Sequence, residues 1–401
     1  MDERVSFNIF SENLPCDKKI FIEDKLPIKS PAAVIDLEDY GEAAKRLGEI
    51  FSKDVTEGFI SDFERTSLDR PDLMAHVSTF CLLKGYIYVT YYANVNEYAE
   101  DAKNQMARLA YCPVDNPSDM TFVDIQSVGD TLCGKPVIMV YDTILMKKDE
   151  NTLYVLWTAN IDGEYYRLYR SFDVNTRTLG EICVNRFKVG STVNDFGAKG
   201  IRDALAGSGI KMKKTYADIG IMQKLSSRVE NGKTYYYTGA YSGDFTCIIK
   251  SCDLETWEYV SQPDFPNSSQ WENATYVIGD KVFYFVRQYV DTPYGFLSVY
   301  DLEKGTWEKP VLIYDSQSRS DFIVYKNNLY LFHAPIDREH IGLIRIDTEY
   351  IAKSEPVFIA KMDTSCFYPF INYFDGDGLA MSYTVERKHI RLARFDMEKL
   401  I

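Results

Sequence analysis

The sequence lacks several features that mark special classes of protein. None of its apolar runs approaches the roughly 20 residues needed to cross a bilayer. Its 14 prolines and 23 glycines are too few for a collagen-like or low-complexity chain of 401 residues. Positive charge is also scarce, since 45 Lys and Arg residues face 59 Asp and Glu residues and leave a net charge of −14. Because binding to a phosphate backbone depends on clustered Lys and Arg, we expect no nucleic-acid partner. Because the apolar runs are short, we also expect no membrane span.

Cysteine and histidine are few and scattered. The eight cysteines include no Cys-x-x-Cys pair, and none of the four histidines stands near them at zinc spacing. We therefore expect reduced core thiols, no metal and no cofactor. The N-terminus has no basic segment followed by an apolar stretch. This predicts a cytoplasmic protein, or an exported one whose signal peptide has been removed; the oligomeric state is not indicated.

Aromatic residues, by contrast, are abundant. The 30 Tyr and 23 Phe residues concentrate in short alternating runs, which favour β-strands. Six such runs each come directly after residues that are typical of a hairpin turn. They are Tyr86–Tyr91, Leu153–Trp157, Thr234–Tyr237, Val282–Phe285, Leu329–Phe332 and Leu379–Tyr383. A further strand follows each of them, at Met106–Ala110, Tyr166–Tyr169, Cys247–Lys250, Phe296–Val299, Ile341–Ile344 and Ile390–Ala393. Six units of four short strands predict an all-β, six-bladed β-propeller that forms a single domain over residues 1–401.

Two segments fall outside the repeat. Residues 1–70 form an N-terminal extension with helical spacing of apolar residues near 38–53, and residues 186–217 hold a helical stretch around Ile201–Leu205. We interpret the second segment as a helical insertion between blades two and three. The sixth unit contains only three strands, so we expect the extension to supply a closing strand, near Val5–Ile9, that removes the open sheet edges.

The starts of the innermost strands carry polar residues. In a propeller these strands begin around one central mouth, so residues far apart in sequence can form one site. The starts hold His76, Asp142, Asp218, Glu272, Arg319 with Asp321, and Tyr368. A single polar residue at a strand start is usually just solvated. The convergence of several residues is what indicates a functional site.

The last three units resemble the sialidase (neuraminidase) superfamily, whose members are six-bladed glycoside hydrolases with BNR repeats. Segments similar to that family's motifs are Trp271–Tyr276 with Phe283–Arg287, Leu331–Arg338 with Ile341–Leu343, and Cys366–Phe370 with Ser382–Ile390. Ser251–Trp257 and Asp301–Trp307 look like degenerate Asp boxes, which stabilise turns and are not catalytic. The resemblance spans roughly residues 72–398, without an intact Asp box.

The resemblance implies an exo-acting hydrolase for an acidic sugar at a glycan terminus. Tyr368 would be the nucleophile and Glu272 the base that takes its proton, because sialidases use a tyrosine in place of the usual carboxylate. Asp101 would be the general acid/base, with Glu97 and Glu100 in the same loop as alternatives.

The resemblance also implies three arginines around the substrate carboxylate, because guanidinium groups pair bidentately with carboxylates. Arg287 and Arg338 match the second and third. His76 stands where the first is expected, and either Arg70, six residues upstream, or Arg319 could compensate. Separately, exposed aromatic rings at the mouth, such as Tyr241, Trp271 and Tyr294, could stack on a sugar or simply fill contacts between blades.

The missing arginine keeps two alternatives open. Losing one charge-assisted contact could remove about 1.5–3 kcal/mol of substrate binding. An enzyme with His76 opposite Tyr368 could instead be a uronic-acid glycan lyase or hydrolase, in which a base removes the C5 proton and an acid protonates the leaving oxygen. The third interpretation is a carbohydrate-binding propeller without catalysis.

Overall fold

The structure of the chain is a computed structural model. It describes residues 72–395 and residue 397, together with the short segments 32–34 and 58–59. Within 72–395 it leaves out residues 117–118, 211–218, 244, 264, 266–271, 288–293, 315, 317, 336–337, 362–364, 375 and 377. The predicted closing strand at Val5–Ile9, the helical spacing near 38–53, and Arg70, Asp218 and Trp271 lie outside the described residues.

Six β-sheets, which we number in chain order, contain nearly all of the regular secondary structure of the described residues. Sheet 1 contains β3 (Met74–Leu83), β4 (Tyr86–Asn94), β5 (Met106–Pro113) and β6 (Thr121–Ser127). Sheet 2 contains β7 (Thr131–Leu132), β8 (Lys135–Lys147), β9 (Thr152–Ile161), β10 (Glu164–Asp173), β11 (Thr178–Leu179) and β12 (Cys183–Val184). Sheet 3 contains β13 (Arg186–Val189), β14 (Thr192–Asp195), β15 (Ile219–Ile221), β16 (Ser226–Glu230), β17 (Lys233–Ser242), β18 (Phe245–Ser251) and β19 (Thr256–Ser261).

The remaining three sheets come from the C-terminal half and two N-terminal strands. Sheet 4 contains β20 (Asn273–Ile278), β21 (Lys281–Val286), β22 (Tyr294–Asp301), β23 (Thr306–Trp307), β24 (Val311–Tyr314) and β1 (Ala32–Val34). Sheet 5 contains β25 (Asp321–Tyr325), β26 (Asn328–His333), β27 (His340–Ile346), β28 (Glu355–Lys361) and β2 (Gly58–Phe59). Sheet 6 contains β29 (Phe367–Tyr373), β30 (Leu379–Val385) and β31 (His389–Phe395).

The aromatic repeat correctly predicts the strands. Each of its six runs lies in the second principal strand of a sheet, namely β4, β9, β17, β21, β26 and β30. The six runs that follow lie in the next strand, namely β5, β10, β18, β22, β27 and β31. Two short described strands of the extension also join sheets: β1 pairs with β24 of sheet 4, and β2 pairs with β28 of sheet 5 in parallel.

The insertion at 186–217 is only partly helical. It begins as the hairpin β13–β14, and β13 pairs in parallel with β19. Phe187 and Val189 are buried on either side of the half-buried Lys188, a period of two that fits a strand. The helix α1 follows at Ala198–Gly207, and the residue before it is Gly197, where a Cβ atom would lie 2.6 Å from the carbonyl oxygen of Tyr165. A short 3₁₀ helix spans Ile351–Lys353.

Apolar clusters join each sheet to the next along the chain. Representative pairs in these clusters are Tyr88 with Trp157 (sheets 1 and 2), Leu156 with Trp257 (2 and 3), Tyr237 with Tyr284 (3 and 4), Phe285 with Leu331 (4 and 5), and Phe332 with Met381 (5 and 6). Sheet 6 also packs on sheet 1, where the rings of Phe80 and Phe370 meet edge to face at 5.6 Å. Each sheet therefore buries its apolar faces between two neighbours.

The degenerate Asp boxes form side-chain-stabilised turns. Oδ1 of Asp253 accepts hydrogen bonds from the backbone N–H groups of Glu255 and Thr256, both at 2.8 Å. Asp301 makes the same pair of bonds in sheet 4, and so do Asp173 in sheet 2 and Asp347 in sheet 5. The turn thus recurs in four sheets.

The seven described cysteines form no disulfide. Three of them are buried, but Cys133 and Cys183 are exposed, so the expectation of core thiols is wrong for these two. None of the helices in the described part of the chain has the length and apolar character needed to span a membrane.

Candidate active site

Three first strands carry a β-bulge close to a polar residue that was singled out in the sequence. The register shifts between His76 and Thr79 in β3, around Asp142 in β8, and around Tyr368 in β29. Val77, Asp142 and Tyr368 have φ angles of 54°, 52° and 58°. Left-handed backbone at non-glycine residues costs about 1–3 kcal/mol and is concentrated at functional sites, where bulges re-aim side chains. The bulges direct residues of three sheets toward one place.

Glu272 and Tyr368 are in direct contact. The Tyr368 hydroxyl donates to Oε2 of Glu272 at 3.0 Å. Nη1 of Arg287 lies 2.9 Å from the same oxygen, and Nη2 of Arg319 lies 3.0 Å from Oε1. The Glu272 carboxylate is buried, with 5% of its side chain exposed, so these contacts replace its hydration. Four residues that the sequence analysis assigned to the site are therefore together.

Asp142 extends the same network. Its Oδ1 accepts from Nη2 of Arg319 at 2.7 Å, and its Oδ2 accepts from the Tyr241 hydroxyl at 3.0 Å and from Nη1 of Arg167 at 3.2 Å. Burial acts to raise the pKa of Asp142, but the guanidinium groups of Arg319 and Arg167 outweigh it and hold that pKa below its usual value. Asp142 is therefore an anion that orients Arg319.

We call Asp142, Arg167, Glu272, Arg287 and Arg319 the arginine cluster. Its three guanidinium groups and two carboxylates leave one net positive charge in a buried place. Because charges interact strongly where water is excluded, this excess attracts an anion.

The Tyr368 ring lies between charged and aromatic neighbours. The Arg319 guanidinium is 5.1 Å from its centroid, and the His76 ring meets it edge to face at 4.5 Å. Burial and the Glu272 carboxylate raise the pKa of Tyr368, while Arg287 and Arg319 oppose them. The phenol is therefore protonated at rest, and Glu272 is the acceptor for its proton.

His76 does not supply a positive charge in place of the missing arginine. Its side chain is buried, and Nδ1 lies 3.0 Å from Oγ1 of Thr384. Burial, followed by the charges of Arg387, Arg319, Arg338 and Arg287, lowers the pKa of His76 well below its usual value. The imidazole is therefore neutral at pH 7 and adds no positive charge at the position where the resemblance expects the first arginine.

Arg338 lies at the edge of this region. Its backbone is in the left-handed region, with a φ angle of 57°. Its guanidinium carbon lies 5.7 Å from the centroid of the Phe367 ring. Burial lowers the pKa of Arg338, and Tyr368 and Glu272 act in the opposite direction, with Arg287 nearby. Arg338 thus shares the electrostatic environment of the arginine cluster.

Asp101 bonds within its own loop. Its carboxylate accepts from the backbone N–H of Lys103 at 3.0 Å and from Nδ2 of Asn104 at 3.2 Å. The carbonyl of Ala102 accepts from the N–H of Val140 at 3.1 Å, which holds the loop against β8 two residues before Asp142. Asp101 is therefore next to the site without touching Tyr368 in this conformation.

Glu100 is the loop carboxylate that contacts the aromatic residues of the site. It accepts from the Tyr92 hydroxyl at 2.5 Å and binds the guanidinium of Arg387. The Tyr92 ring meets His76 edge to face at 5.5 Å.

Tyr241 does not present an exposed ring to a sugar. Only 3% of it is exposed, and its hydroxyl is bound to Asp142. The absence of a side chain at Gly220, in the paired strand β15, leaves room for this ring. Tyr241 supports the arginine cluster through its hydrogen bond to Asp142. Of the other predicted stacking residues, the side chain of Tyr294 is outside the described part, as Trp271 is.

The sequence analysis missed Arg167 and Arg387 as site residues, and it named Asp142 only as a polar residue at a strand start, without a role. A signal for Arg167 exists, because an Arg-Leu pair stands in β5, β10 and β31, where it places Arg108, Arg167 and Arg391, all buried. Buried arginines need carboxylate partners, and Arg108 finds one in Asp72 at 2.7 Å. Among the described residues, no three His, Cys, Asp or Glu side chains are grouped to hold a metal ion.

The chain is similar to solved structures of sialidases. It superposes on the Trypanosoma rangeli sialidase with a TM-score of 0.57 and 14% identity, covering 87% of this chain and 57% of that one. It superposes on the Hadza microbial sialidase Hz136 with a TM-score of 0.55 and 10% identity, covering 86% of this chain and 73% of that one. For the K499G mutant of NanB sialidase from Streptococcus pneumoniae, the TM-score is 0.52 and the identity is 10%, with 82% of this chain and 69% of that one covered. No protein-family model matches the sequence, and no curated protein matches it.

Proposed function

We propose that this chain, which has the fold of the sialidases, is an exo-acting, retaining glycoside hydrolase for a terminal carboxylated sugar. The observation that carries the proposal is the hydrogen bond from the Tyr368 hydroxyl to Glu272, held between the buried guanidinium groups of Arg287 and Arg319. A tyrosine activated by a carboxylate and surrounded by positive charge is the pairing that a phenol nucleophile needs.

The proposal includes a closed six-bladed β-propeller. Its support is that each sheet packs on the next in chain order and that sheet 6 packs on sheet 1 through Phe80 and Phe370. In such a ring the first strands of all six sheets, including β3, β8, β20, β25 and β29, surround the axis. This arrangement accounts for the meeting of His76, Asp142, Glu272, Arg319 and Tyr368 at one place.

In the first step the Tyr368 oxygen attacks the anomeric carbon while its proton passes to Glu272. The bond from that carbon to the glycosidic oxygen breaks, and the carboxylic acid of Asp101 protonates the leaving oxygen. The sugar is then bound covalently to Tyr368. The Asp101 carboxyl must turn from its loop contacts to reach the leaving oxygen, and catalytic contacts of this kind often tighten only when substrate is bound.

In the second step water attacks the anomeric carbon, and Asp101, now a carboxylate, accepts its proton. The bond to Tyr368 breaks, and Glu272 returns the proton to the phenolate. Two displacements on one carbon retain its configuration.

The positive excess of the arginine cluster determines the substrate class. Arg287 binds the Glu272 carboxylate, Arg319 lies 5.1 Å from the centroid of the Tyr368 ring, and Arg338 interacts electrostatically with Tyr368. These three guanidinium groups are suited to bind a carboxylate beside the anomeric carbon. A neutral sugar would leave these buried charges without an additional partner.

The proposal is tested with 4-methylumbelliferyl sialoside. We expect wild-type protein to release the fluorophore and Tyr368→Phe to lose this activity by at least about 100-fold. The matched control is Tyr373→Phe on the same strand, which also removes a hydroxyl that donates one described hydrogen bond, there to the Val324 carbonyl at 2.5 Å. It should remain fully active.

One observation favours a second candidate, the uronate lyase. His76 is neutral and lies beside Tyr368, so it is able to accept a proton. Lyase action on a uronate polymer would give an unsaturated product and a rise in absorbance at about 230–235 nm, whereas hydrolysis would give no such rise. That rise, without turnover of the sialoside, would replace the hydrolase proposal with the lyase. Glycan binding that survives the double variant Glu272→Gln/Tyr368→Phe, with no product from wild type, would leave only a binding protein.

A further inference from the structure

The tip of the β30–β31 hairpin is bound to the start of β3. The backbone N–H of Ala75 donates to the carbonyl of Arg387 at 3.2 Å, and Oγ1 of Thr384 lies 3.0 Å from Nδ1 of His76 and accepts from the N–H of Val77 at 3.3 Å. Sheet 6 therefore places Arg387 beside the position where the family resemblance expects its first arginine and where the chain has His76.

The Arg387 side chain is held toward the site. Nη1 donates to Oε2 of Glu100, whose other oxygen accepts from the Tyr92 hydroxyl. Tyr92 packs edge to face on His76 and shares an apolar cluster with Tyr368. The Arg387 guanidinium thus connects to Tyr368 through two intervening side chains, Glu100 and Tyr92.

Arg387 differs from the arginines of the arginine cluster in its exposure. Its side chain is 43% exposed, compared with 7% for Arg287 and 3% for Arg319. Those two are already bound to Glu272, whereas only Nη1 of Arg387 has a described partner, and a guanidinium has five N–H donors. Arg387 can therefore bind an incoming carboxylate while Glu100 continues to hold it.

The electrostatics agree with this placement. Arg387 is the charged group with the largest effect on the pKa of His76, ahead of Arg319, Arg338 and Arg287, and its charge also lowers the pKa of Arg338. All four guanidinium groups therefore contribute to the electrostatic environment of His76.

We propose that Arg387 supplies the guanidinium that the start of β3 lacks and binds the substrate carboxylate together with Arg338 and Arg287, with Glu100 and Tyr92 orienting it. The inference rests on the proposed function, since it identifies a specificity-determining residue for the same acidic sugar. It assigns to sheet 6 a role that the sequence alone led us to seek at His76, Arg70 or Arg319.

The test compares binding of N-acetylneuraminic acid and its methyl ester to wild type, Arg387→Gln and Lys388→Gln by ligand-observed NMR titration. Lys388 is the control because it occupies the same hairpin tip and pairs with Glu386. We expect Arg387→Gln to weaken binding of the acid about 10- to 100-fold, as for the loss of a charge-assisted hydrogen bond, and to leave binding of the ester unchanged. Lys388→Gln should bind both as wild type does.

Arg387→Lys adds a second test, because it keeps the charge but loses the planar fork, and we expect intermediate affinity for the acid. Equal affinity of Arg387→Gln and wild type for the acid would overturn the inference while leaving the proposed function intact. An equal loss for acid and ester would overturn it as well, because a carboxylate-specific contact cannot produce that result. If wild type binds neither ligand and does not turn over the sialoside, the proposed function itself fails.

Discussion

Glu272→Gln is the substitution for which the structure makes the most detailed prediction. The change preserves the shape of the side chain and removes its charge. The carboxylate loses its ion pairs with Arg287 at 2.9 Å and Arg319 at 3.0 Å, and the Tyr368 hydroxyl loses its proton acceptor. One amide oxygen cannot replace both carboxylate oxygens, and the amide N–H₂ group would face a guanidinium.

The two arginines are affected differently. Arg319 keeps Asp142 at 2.7 Å, whereas Arg287 loses its contact with Glu272 at 2.9 Å. Removing one partner of a buried ion pair costs about 3–5 kcal/mol. We therefore expect the free energy of unfolding to fall by about that amount, and kcat to fall by about 10²–10⁴-fold because the proposed general base is lost.

Urea unfolding followed by tryptophan fluorescence measures the first quantity, and initial rates on the aryl sialoside measure the second. Glu230→Gln is a matched control, since Glu230 also binds a tyrosine hydroxyl, that of Tyr237, and a cation, Lys250, but at the turn of sheet 3 away from the site. Its side chain is 19% exposed, so we expect a smaller loss of stability and no loss of activity. If Glu272→Gln keeps wild-type stability and rate, or if Glu230→Gln loses activity equally, the reasoning about the arginine cluster is refuted.

Three further substitutions test the surroundings of the site. Gly239→Ala should destabilise the protein by about 1–3 kcal/mol or more and impair turnover, because the added Cβ would lie 1.6 Å from Oδ1 of Asn273, the residue after Glu272. The control variant Gly207→Ala should do neither, because a Cβ atom at that position meets nothing within 4 Å. Equal melting temperatures for the two variants would contradict this prediction. Asp253→Ala should cost about 1–2 kcal/mol in urea unfolding without changing kcat, because two backbone N–H groups lose their acceptor, and a rate change would show that the turn is coupled to the site. Burial raises the pKa of Asp321 to about 6, above its unfolded value of about 3.9, so the folded state binds more protons in that window. The contribution of Asp321 to the free energy of unfolding should decrease as pH rises from about 4 to about 6, and this decrease should be absent in Asp321→Asn. If the free energy of unfolding depends on pH in the same way in Asp321→Asn and wild type, the raised pKa of Asp321 is contradicted.

The strands were predictable because alternation of aromatic residues reflects a physical requirement. In the run Val282–Phe285 all four side chains are buried, Val282 and Tyr284 in one apolar cluster and the two phenylalanines in another, and a six-fold recurrence of such runs fixes the repeat unit. Polar residues at strand starts, including Glu272, Arg319 and Tyr368, were predictable for the same reason, since the apolar pattern ends there.

The missed features depend on contacts between distant parts of the chain. The left-handed bulges at Asp142 and Tyr368 leave no signal in composition, because neither residue is a glycine. Arg387 approaches Glu100 only because sheet 6 packs on sheet 1, across 287 residues of sequence. The charge state of His76 follows from its burial and from surrounding arginines, which the sequence does not reveal. The hairpin β13–β14 was hidden by the helix that follows it.

The most direct test of a tyrosine nucleophile is mass spectrometry of the protein after incubation with a 2,3-difluorosialic acid. Attack by the phenolate displaces fluoride from the anomeric carbon, and the second fluorine slows hydrolysis of the resulting bond. We predict one added sugar on the peptide that contains Tyr368 and none in Tyr368→Phe. An adduct on another residue, or unchanged labelling of Tyr368→Phe, would contradict the assignment of Tyr368 as the nucleophile.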